Sequence, residues 1–333
     1  MKRALLVGID HYQQLPPLAG CVADATAVAE IIRTHADGSP NYQVELITSE
    51  NNHAVVTREG LRGALARLFG NARGADLFFF FAGHGGQTLW GADLVTQDAT
   101  SNSLGVSMND LITLANDSPA RSVTLILDCC FSGDLGNLTG LQASSMAEPF
   151  RLGKAVLGEN VTALAASRPS ETAAEATGHG AFTRVLIDGL QGGATDHLGK
   201  VTALSLYSYV SAAFDAWQQR PMLKTHLTEP TVLRVGPPWL DAALLRELPR
   251  HFSAAEARIR LSPAHEGEGR PLLPGQRGTS EQQEFDYLGR LRNAGLVATD
   301  NELAHYWVAM QSREVYLTAL GRYFWALAKR SVL

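Results

Sequence analysis

The sequence predicts an α/β protein with a mostly parallel sheet flanked by helices, followed by a small α+β domain. Three observations carry that expectation. Short apolar runs alternate with segments of helical spacing as far as Val235, an order that puts crossover helices on both faces of a parallel sheet. Two of the apolar runs, "ADLFFFFAGHGG" and "TLILDCCFSG", end in polar residues and glycine, as strands do where open α/β sheets build ligand sites. "VGPPWL", Val235 to Leu240, then breaks the pattern, because consecutive prolines neither continue a strand nor sit inside a helix.

Each element follows from its own spacing. Arg3 to Ile9 is a short buried strand, Val22 to His35 a helix with Asp24 in its opening turn, and Tyr42 to Ser49 the second strand. Thr57 to Phe69 is an amphipathic helix with Leu61, Leu65 and Leu68 on one side, and Ala75 to Gly86 is the third strand. A helix around Met108 to Asn116 precedes the fourth strand, Ser122 to Cys129. Further on come a strand at Val161 to Ser167, helices near Phe182 to Leu190 and Leu204 to Gln218, and a last strand near Thr231 to Val235. The expected domains are 1–236, a helix and linker over 237–280, and 281–333. His251 to Ser280 is rich in Gly, Pro, Glu and Arg and reads as a loop or linker around a short helix. Beyond it, "EFDYLGRLRNAGLV" reads as a helix closed by Gly295, "HYWVAM" as a strand, and "VYLTALGRYFWALAKR" as a final helix-forming stretch.

Composition narrows the function classes. With 333 residues, 45% hydrophobic and 18% charged, the chain buries a sizeable core and leaves room for a second domain. A net charge of -5 gives no general attraction for nucleic acid or anionic membrane. The apolar run Ala4 to Val7 is cut off by Asp10 and His11 well short of a signal peptide, and no stretch spans a bilayer, so a cytoplasmic location is expected. Cys21, Cys129 and Cys130 are an odd count with no CxxC spacing, which favours reduced thiols over a disulfide or a metal site.

The two strand ends supply the chemistry. His84 ends one strand among Gly83, Gly85 and Gly86, and Cys130 ends another 46 residues later. Cysteine catalysis needs a base able to make a thiolate and N–H donors for an oxyanion, and a Cys and a His on neighbouring strand ends provide both. Strand alternation separates the cysteines: Leu125, Leu127 and Cys129 share one face, Ile126, Asp128 and Cys130 the other. Cys129 therefore packs as a small hydrophobe, and Cys130 shares its side with an acid.

"FFFFAGHGG" and "LILDCCFSG", preceded by "ALLVGIDHYQQLPPLAGCVADA", resemble the metacaspase group of caspase-like peptidases, called orthocaspases in bacteria. The resemblance covers Lys2 to Val235, about two thirds of the chain. It implies a caspase-hemoglobinase fold and a cysteine endopeptidase with Cys130 as nucleophile and His84 as its acid/base partner. The N–H groups of Gly85 and Cys130 would form the oxyanion hole. It also implies protein substrates cut after Arg or Lys through an acidic S1 pocket, for which the matching positions are Asp24 and Asp128, with Cys21 and Ala82 lining it. Ala82 stands where many relatives have Ser, and Phe131 where many have His. A carboxylate beside a thiolate raises the thiol pKa unless a substrate cation neutralises it, which suits a basic P1 residue. Such bacterial enzymes resemble proteases of regulated cell death or antiphage defence.

Further expectations concern regulation. No cofactor is required. Calcium activation, common in metacaspases, would have to draw on Asp93, Asp98 and Asp134, which fall short of a ligand set for a cation that wants six or more oxygens. Arg151 and Lys154, in a long Ser- and Gly-containing stretch, are candidate autocleavage positions. "AASRPSETAAE" and "GHGAFT" occupy places that shape the substrate cleft in relatives. The C-terminal segment resembles a winged-helix module. Its acids (Glu284, Asp286, Asp300, Glu302, Glu314) nearly balance its bases (Arg290, Arg292, Arg313, Arg322, Lys329, Arg330), so it suits protein contact better than nucleic acid. The rival readings are a DNA- or protein-binding regulator whose main function is that module, and an inactive caspase-like scaffold.

Overall fold

Two faces of one sheet carry most of the buried side chains. The computed structural model describes residues 1–49, 56–88, 91–101, 103–130, 156–166, 180–214, 221–267 and 278–333. The chain divides into two compact units, Met1–Pro237 and Pro238–Leu333.

In the first unit, β1 (Lys2–Gly8), α1 (Cys21–Arg33), β2 (Gln43–Thr48), α2 (Arg58–Phe69) and β3 (Asp76–Thr88) follow the predicted alternation. Next come β4 (Gly91–Thr100), β5 (Ser103–Ser107), α3 (Met108–Asp117), β6 (Ser122–Cys130) and β7 (Val161–Ala165). After these stand α4 (Ala181–Asp188), which runs into a π-turn, then β8 (Lys200–Thr202), α5 (Ala203–Ala213), β9 (Met222–His226) and β10 (Val232–Val235). Among the described residues the main sheet has the order β2-β1-β3-β6-β7-β9, and the first five strands are mutually parallel.

Phe78 to Phe81 explain why β3 reads as one apolar run: all four are fully buried, because helices cover both sides of the sheet. Phe79 and Phe81 join Leu125, Leu127 and Cys129 on the face that packs Leu61, Leu65 and Leu68 of α2 and Leu111 of α3. Phe78, Phe80 and Ala82 join Ile126 on the face that packs Ala25, Val28 and Ile32 of α1 and Phe182 and Leu186 of α4. Removing one such ring costs about 3–5 kcal/mol, a large share of a domain's stability.

Several elements depart from the expectation. "GADLVTQDAT" is strand β4, which pairs antiparallel with β3 and β5; its alternation of Ala92, Leu94 and other buried positions was masked by its acids and polar residues. β9 pairs antiparallel with β7, and β10 leaves the main sheet to pair antiparallel with β8.

The second unit contains α6 (Ala242–Arg246), α7 (Leu248–His251), β11 (Arg258–Arg260), α8 (Pro263–Glu266) and α9 (Ser280–Asn293). It ends with β12 (Val297–Thr299), α10 (His305–Met310), β13 (Glu314–Leu317) and α11 (Ala319–Lys329). Its antiparallel sheet has the order β11-β13-β12. Gly295, with φ 75°, follows α9 in the left-handed conformation that ends a helix. "HYWVAM" is a helix rather than a strand: Val308 and Ala309 are adjacent and both buried while Tyr306 and Trp307 are adjacent and exposed, which alternation forbids. The strand lies in "EVYL", where Val315 and Leu317 are the buried pair. Arg258 to Arg260, read from composition as linker, is a strand because it pairs with β13.

Candidate active site

β3 and β6 run parallel in register from Asp76 opposite Ser122 to His84 opposite Cys130. Both residues sit where the parallel β3–β6 ladder ends, toward the carboxyl side of the sheet, where an open α/β sheet leaves room for a ligand; β3 itself runs on to Thr88, pairing with β4 from Gly85. Cys129, one residue earlier, is 2% exposed and packs with the leucines of its own strand, as alternation predicts.

The His84 ring is held from the loop after β1. Its Nε2 lies 2.9 Å from the Pro16 carbonyl oxygen. A carbonyl only accepts, so Nε2 carries the proton and the neutral ring keeps its lone pair on Nδ1. Nδ1 is buried and has no hydrogen-bond partner among the described residues. Burial lowers the His84 pKa, with the Pro16 bond opposing, so the ring is a neutral base at pH 7. Tyr12, 9% exposed, reaches the same residue: its hydroxyl accepts the His84 backbone N–H at 2.8 Å, and its ring centroid lies 4.7 Å from that of His84.

The acids meet at a different place, the start of α4. Asp24 lies in the first turn of α1 and is 2% exposed. That turn is fixed by Asp10, whose carboxylate takes the N–H of Cys21 at 2.8 Å and of Val22 at 3.3 Å. Asp128 is partly buried on β6. The Gly180 N–H donates to Asp24 Oδ2 at 3.2 Å, and the Thr183 hydroxyl donates to Asp128 Oδ2 at 2.6 Å. The Thr183 backbone N–H adds a further bond to the Asp128 carboxylate. A methyl group built on Gly180 would stand 3.2 Å from both Asp24 Oδ2 and Asp128 Oδ2, so the two carboxylates flank one point. Burial pushes the Asp128 pKa up to about 6, the Thr183 bond opposes, and the charge of Asp24 adds to the rise.

The remaining predicted residues fall as follows. Ala82 is buried, pairs with Asp128 across the β3–β6 ladder, and its carbonyl accepts the Ile9 N–H. Cys21 is half-buried at the first position of α1. Gly85 is buried in the β3–β4 ladder opposite Leu94. Arg151, Lys154, Asp134 and Phe131 lie outside the described residues. Asp98 is occupied as an acceptor for the Arg58 N–H and the Thr96 hydroxyl. Asp93, on β4, has its pKa raised by burial. Among the described residues no group of three or more His, Cys, Asp or Glu is arranged to hold a metal ion. No helix among them is long and apolar enough to cross a membrane.

The sequence reading missed Asp10, Tyr12 and the Pro16 carbonyl, all in "DHYQQLPP", although polar and aromatic residues just past the end of a buried strand are themselves a site signal. Thr183 and Gly180 belong to "GHGAFT", which was singled out as a segment but not residue by residue.

Comparison with known proteins bears on the fold and the family. A crystal structure of a protein from Geobacter sulfurreducens superposes with a TM-score of 0.50 at 16% identity, over 71% of this chain and 99% of that one, which is a likeness of fold. Metacaspase-1 of Schizosaccharomyces pombe is 32% identical over 89 residues, 26% of this chain and 21% of that protein. Metacaspase-1 of Lodderomyces elongisporus is 29% identical over 155 residues, 41% of this chain and 34% of that protein. The chain thus spans well under half the length of these relatives. The family model described as the caspase domain, peptidase C14, matches residues 1–232. With that match extending over the whole parallel sheet, His84 and Cys130 included, the chain belongs to the caspase domain family of cysteine peptidases.

Proposed function

We propose that this chain is a cysteine endopeptidase that cleaves proteins after Arg or Lys, with Cys130 as nucleophile and His84 as base. The observation that carries the reading is the register pairing of His84 with Cys130 where the parallel β3–β6 ladder ends, with the one unprotonated ring nitrogen left without a partner among the described residues. Nδ1 takes the thiol proton, and the thiolate attacks the scissile carbonyl carbon. The N–H groups of Gly85 and Cys130 hold the oxyanion, His84 returns the proton to the leaving amine, and an acyl-enzyme remains. Water, deprotonated by the same ring, then releases the acid.

Specificity in this reading comes from Asp24 and Asp128, with Cys21 and Ala82 beside them. Two carboxylates flanking one point suit a guanidinium or ammonium, and binding that cation lowers the repulsion between them. An aspartate side chain at P1 would meet two like charges.

The second unit is read as a winged-helix-like module for regulation or partner docking. The strand order β11-β13-β12, with helices before and between the strands, supports that assignment. A substrate in regulated cell death or antiphage defence is proposed from the family resemblance alone. Autocleavage after Arg151 or Lys154 is part of the same reading, checked by the mass of the purified chain beside a Cys130→Ala variant. No cofactor enters the mechanism, and hydrolysis measured with calcium and with a chelator checks that part.

The deciding experiment is hydrolysis of fluorogenic Arg, Lys and Asp peptides by the wild type, Cys130→Ala and Cys129→Ala. Cleavage of Arg or Lys peptides that Cys130→Ala abolishes and Cys129→Ala retains is the expected result. Activity surviving in Cys130→Ala, or a strict preference for Asp, overturns the proposal. A gel shift on the full chain at several salt concentrations tests the DNA-binding alternative.

A further inference from the structure

We infer that Tyr12 is a positioning residue for His84, holding the ring at the angle that keeps Nδ1 available to Cys130. The inference rests on the peptidase reading above, and one arm of its test does not need peptide hydrolysis.

The loop that carries Tyr12 is tied on several sides. The Ile9 N–H donates to the Ala82 carbonyl at 3.0 Å, the Gln13 N–H to the Gln97 carbonyl at 3.0 Å, and the Leu18 N–H to the Asp10 carbonyl at 2.8 Å. Ser49 Oγ accepts from the N–H groups of Asp10 at 2.8 Å and His11 at 3.2 Å. A loop so fixed places the phenol as a rigid element. The Tyr12 ring belongs to the same packed face as Leu127 and Cys129 of β6, so its body is anchored in the core while its hydroxyl reaches β3.

That hydroxyl grips His84 at the backbone, while Pro16 from the same loop grips it at the far ring nitrogen. Two fixed points leave the ring a tilt about the line between them. The Tyr12 ring, centroid to centroid at 4.7 Å and inclined by 47°, limits that tilt from one side. The chain beside His84 is shaped for the contact: a Cβ on Gly83 would lie 2.7 Å from the Tyr12 hydroxyl oxygen, closer than van der Waals contact allows. The glycine before the histidine therefore clears space for the phenol. Burial raises the Tyr12 pKa, so the group stays a neutral phenol across the working range.

Tyr12→Phe keeps the ring and removes the acceptor. It is expected to lower kcat roughly ten- to hundredfold on an Arg peptide with KM within about twofold, the signature of a misaligned base and an intact binding site. Alkylation of Cys130 by iodoacetamide, read by peptide mass spectrometry, should slow at pH 7. It should match the wild type above pH 9, where a thiol of ordinary pKa about 8.5 ionises without help. Gly83→Ala should lower kcat in the same way, and the double variant should be no worse than Gly83→Ala alone, since one displacement then explains both losses. An unchanged kcat in Tyr12→Phe, a loss carried by KM, or alkylation slowed equally at both pH values overturns the inference, as do losses that multiply in the double variant. If the wild type cleaves no peptide, the peptidase reading fails, and the alkylation arm still decides on Tyr12.

Discussion

His84 and Cys130 are brought opposite each other along the backbone because two adjacent parallel strands stay in register from Asp76 and Ser122 to these two positions. Asp24 and Asp128 meet by another route. They come from α1 and β6 and are gathered by the N-terminal turn of α4, whose Thr183 lies 55 residues beyond Asp128. The first pair is fixed by sheet hydrogen bonds and a core of buried phenylalanines, which single surface substitutions barely disturb. The second is a pair of acids, Asp24 buried and Asp128 half-buried, to which Gly180 and Thr183 and the helix dipole at the start of α4 contribute. One arrangement is rigid by construction, and the other is tuned by a few bonds.

The sharpest test of the difference lies at the strand ends. Cys130→Ala or His84→Ala should lower kcat on an Arg peptide by roughly 10³-fold or more, because each removes a member of a unit that acts together. Cys129→Ala, one position away, should retain kcat within a few-fold and lower Tm by about 2–4 °C, since it trims a packed side chain. Steady-state kinetics and thermal melts on the three variants check this. Loss of activity in Cys129→Ala with Cys130→Ala still active would reverse the alternation argument.

Smaller and differently distributed effects are expected at the acids. Asp24→Asn or Asp128→Asn should lower kcat/KM for Arg peptides by roughly 10²-fold, mainly through KM, and the discrimination against a citrulline peptide should shrink with it. For the wild type, kcat/KM on an Arg peptide should fall as pH drops through about 6, where Asp128 takes up its proton. Thr183→Val is milder, about three- to tenfold in KM. The Thr183 bonds favour the ionised carboxylate, so removing the hydroxyl raises the Asp128 pKa and moves that acid limb to higher pH. An unmoved limb would show that Thr183 packs there without tuning the acid.

The strand ends were legible because their information is local. "FFFFAGHGG" and "LILDCCFSG" each hold most of a buried strand within a few positions, and alternation places Cys129 in the core with nothing else known. The helices of the first unit were equally readable from Leu61, Leu65 and Leu68 and similar stripes. What the sequence hid were relations between distant segments. Nothing in "DHYQQLPP" says that the Tyr12 hydroxyl meets a backbone N–H 72 residues away, and nothing in "GAFT" says that Thr183 reaches β6. The β4–β5 hairpin was obscured because its polar residues are satisfied inside the fold, as with Gln97 and Thr96, both nearly fully buried. In "HYWVAM" six residues are too few to separate a period of two from one of 3.6.

The last contrast is between function and stability at Asp128. An acid whose folded pKa of about 6 stands above its ordinary 3.8 binds its proton more tightly in the folded state than in the unfolded one. Its ionisation therefore opposes folding: the penalty is fully present above pH 6, shrinks as pH falls, and is gone below about 4. A shift of this size corresponds to roughly 3 kcal/mol, less to the extent that the carboxyl reaches solvent. Asp128→Asn removes the charge and leaves an acceptor for the Thr183 hydroxyl. The variant should melt a few degrees higher than the wild type at pH 7.5, about 2–6 °C, and the gap should close by pH 4. His84→Gln should shift in the opposite sense: burial lowers the His84 pKa, so the wild type loses stability as pH falls below its ordinary 6.5 and the variant gains on it toward pH 4. Thermal melts at the two pH values decide it: equal gaps would mean that Asp128 is stabilised by α4 as fully as an exposed acid by water, and the acid pair would then be a structural clasp rather than a site left charged for a cation.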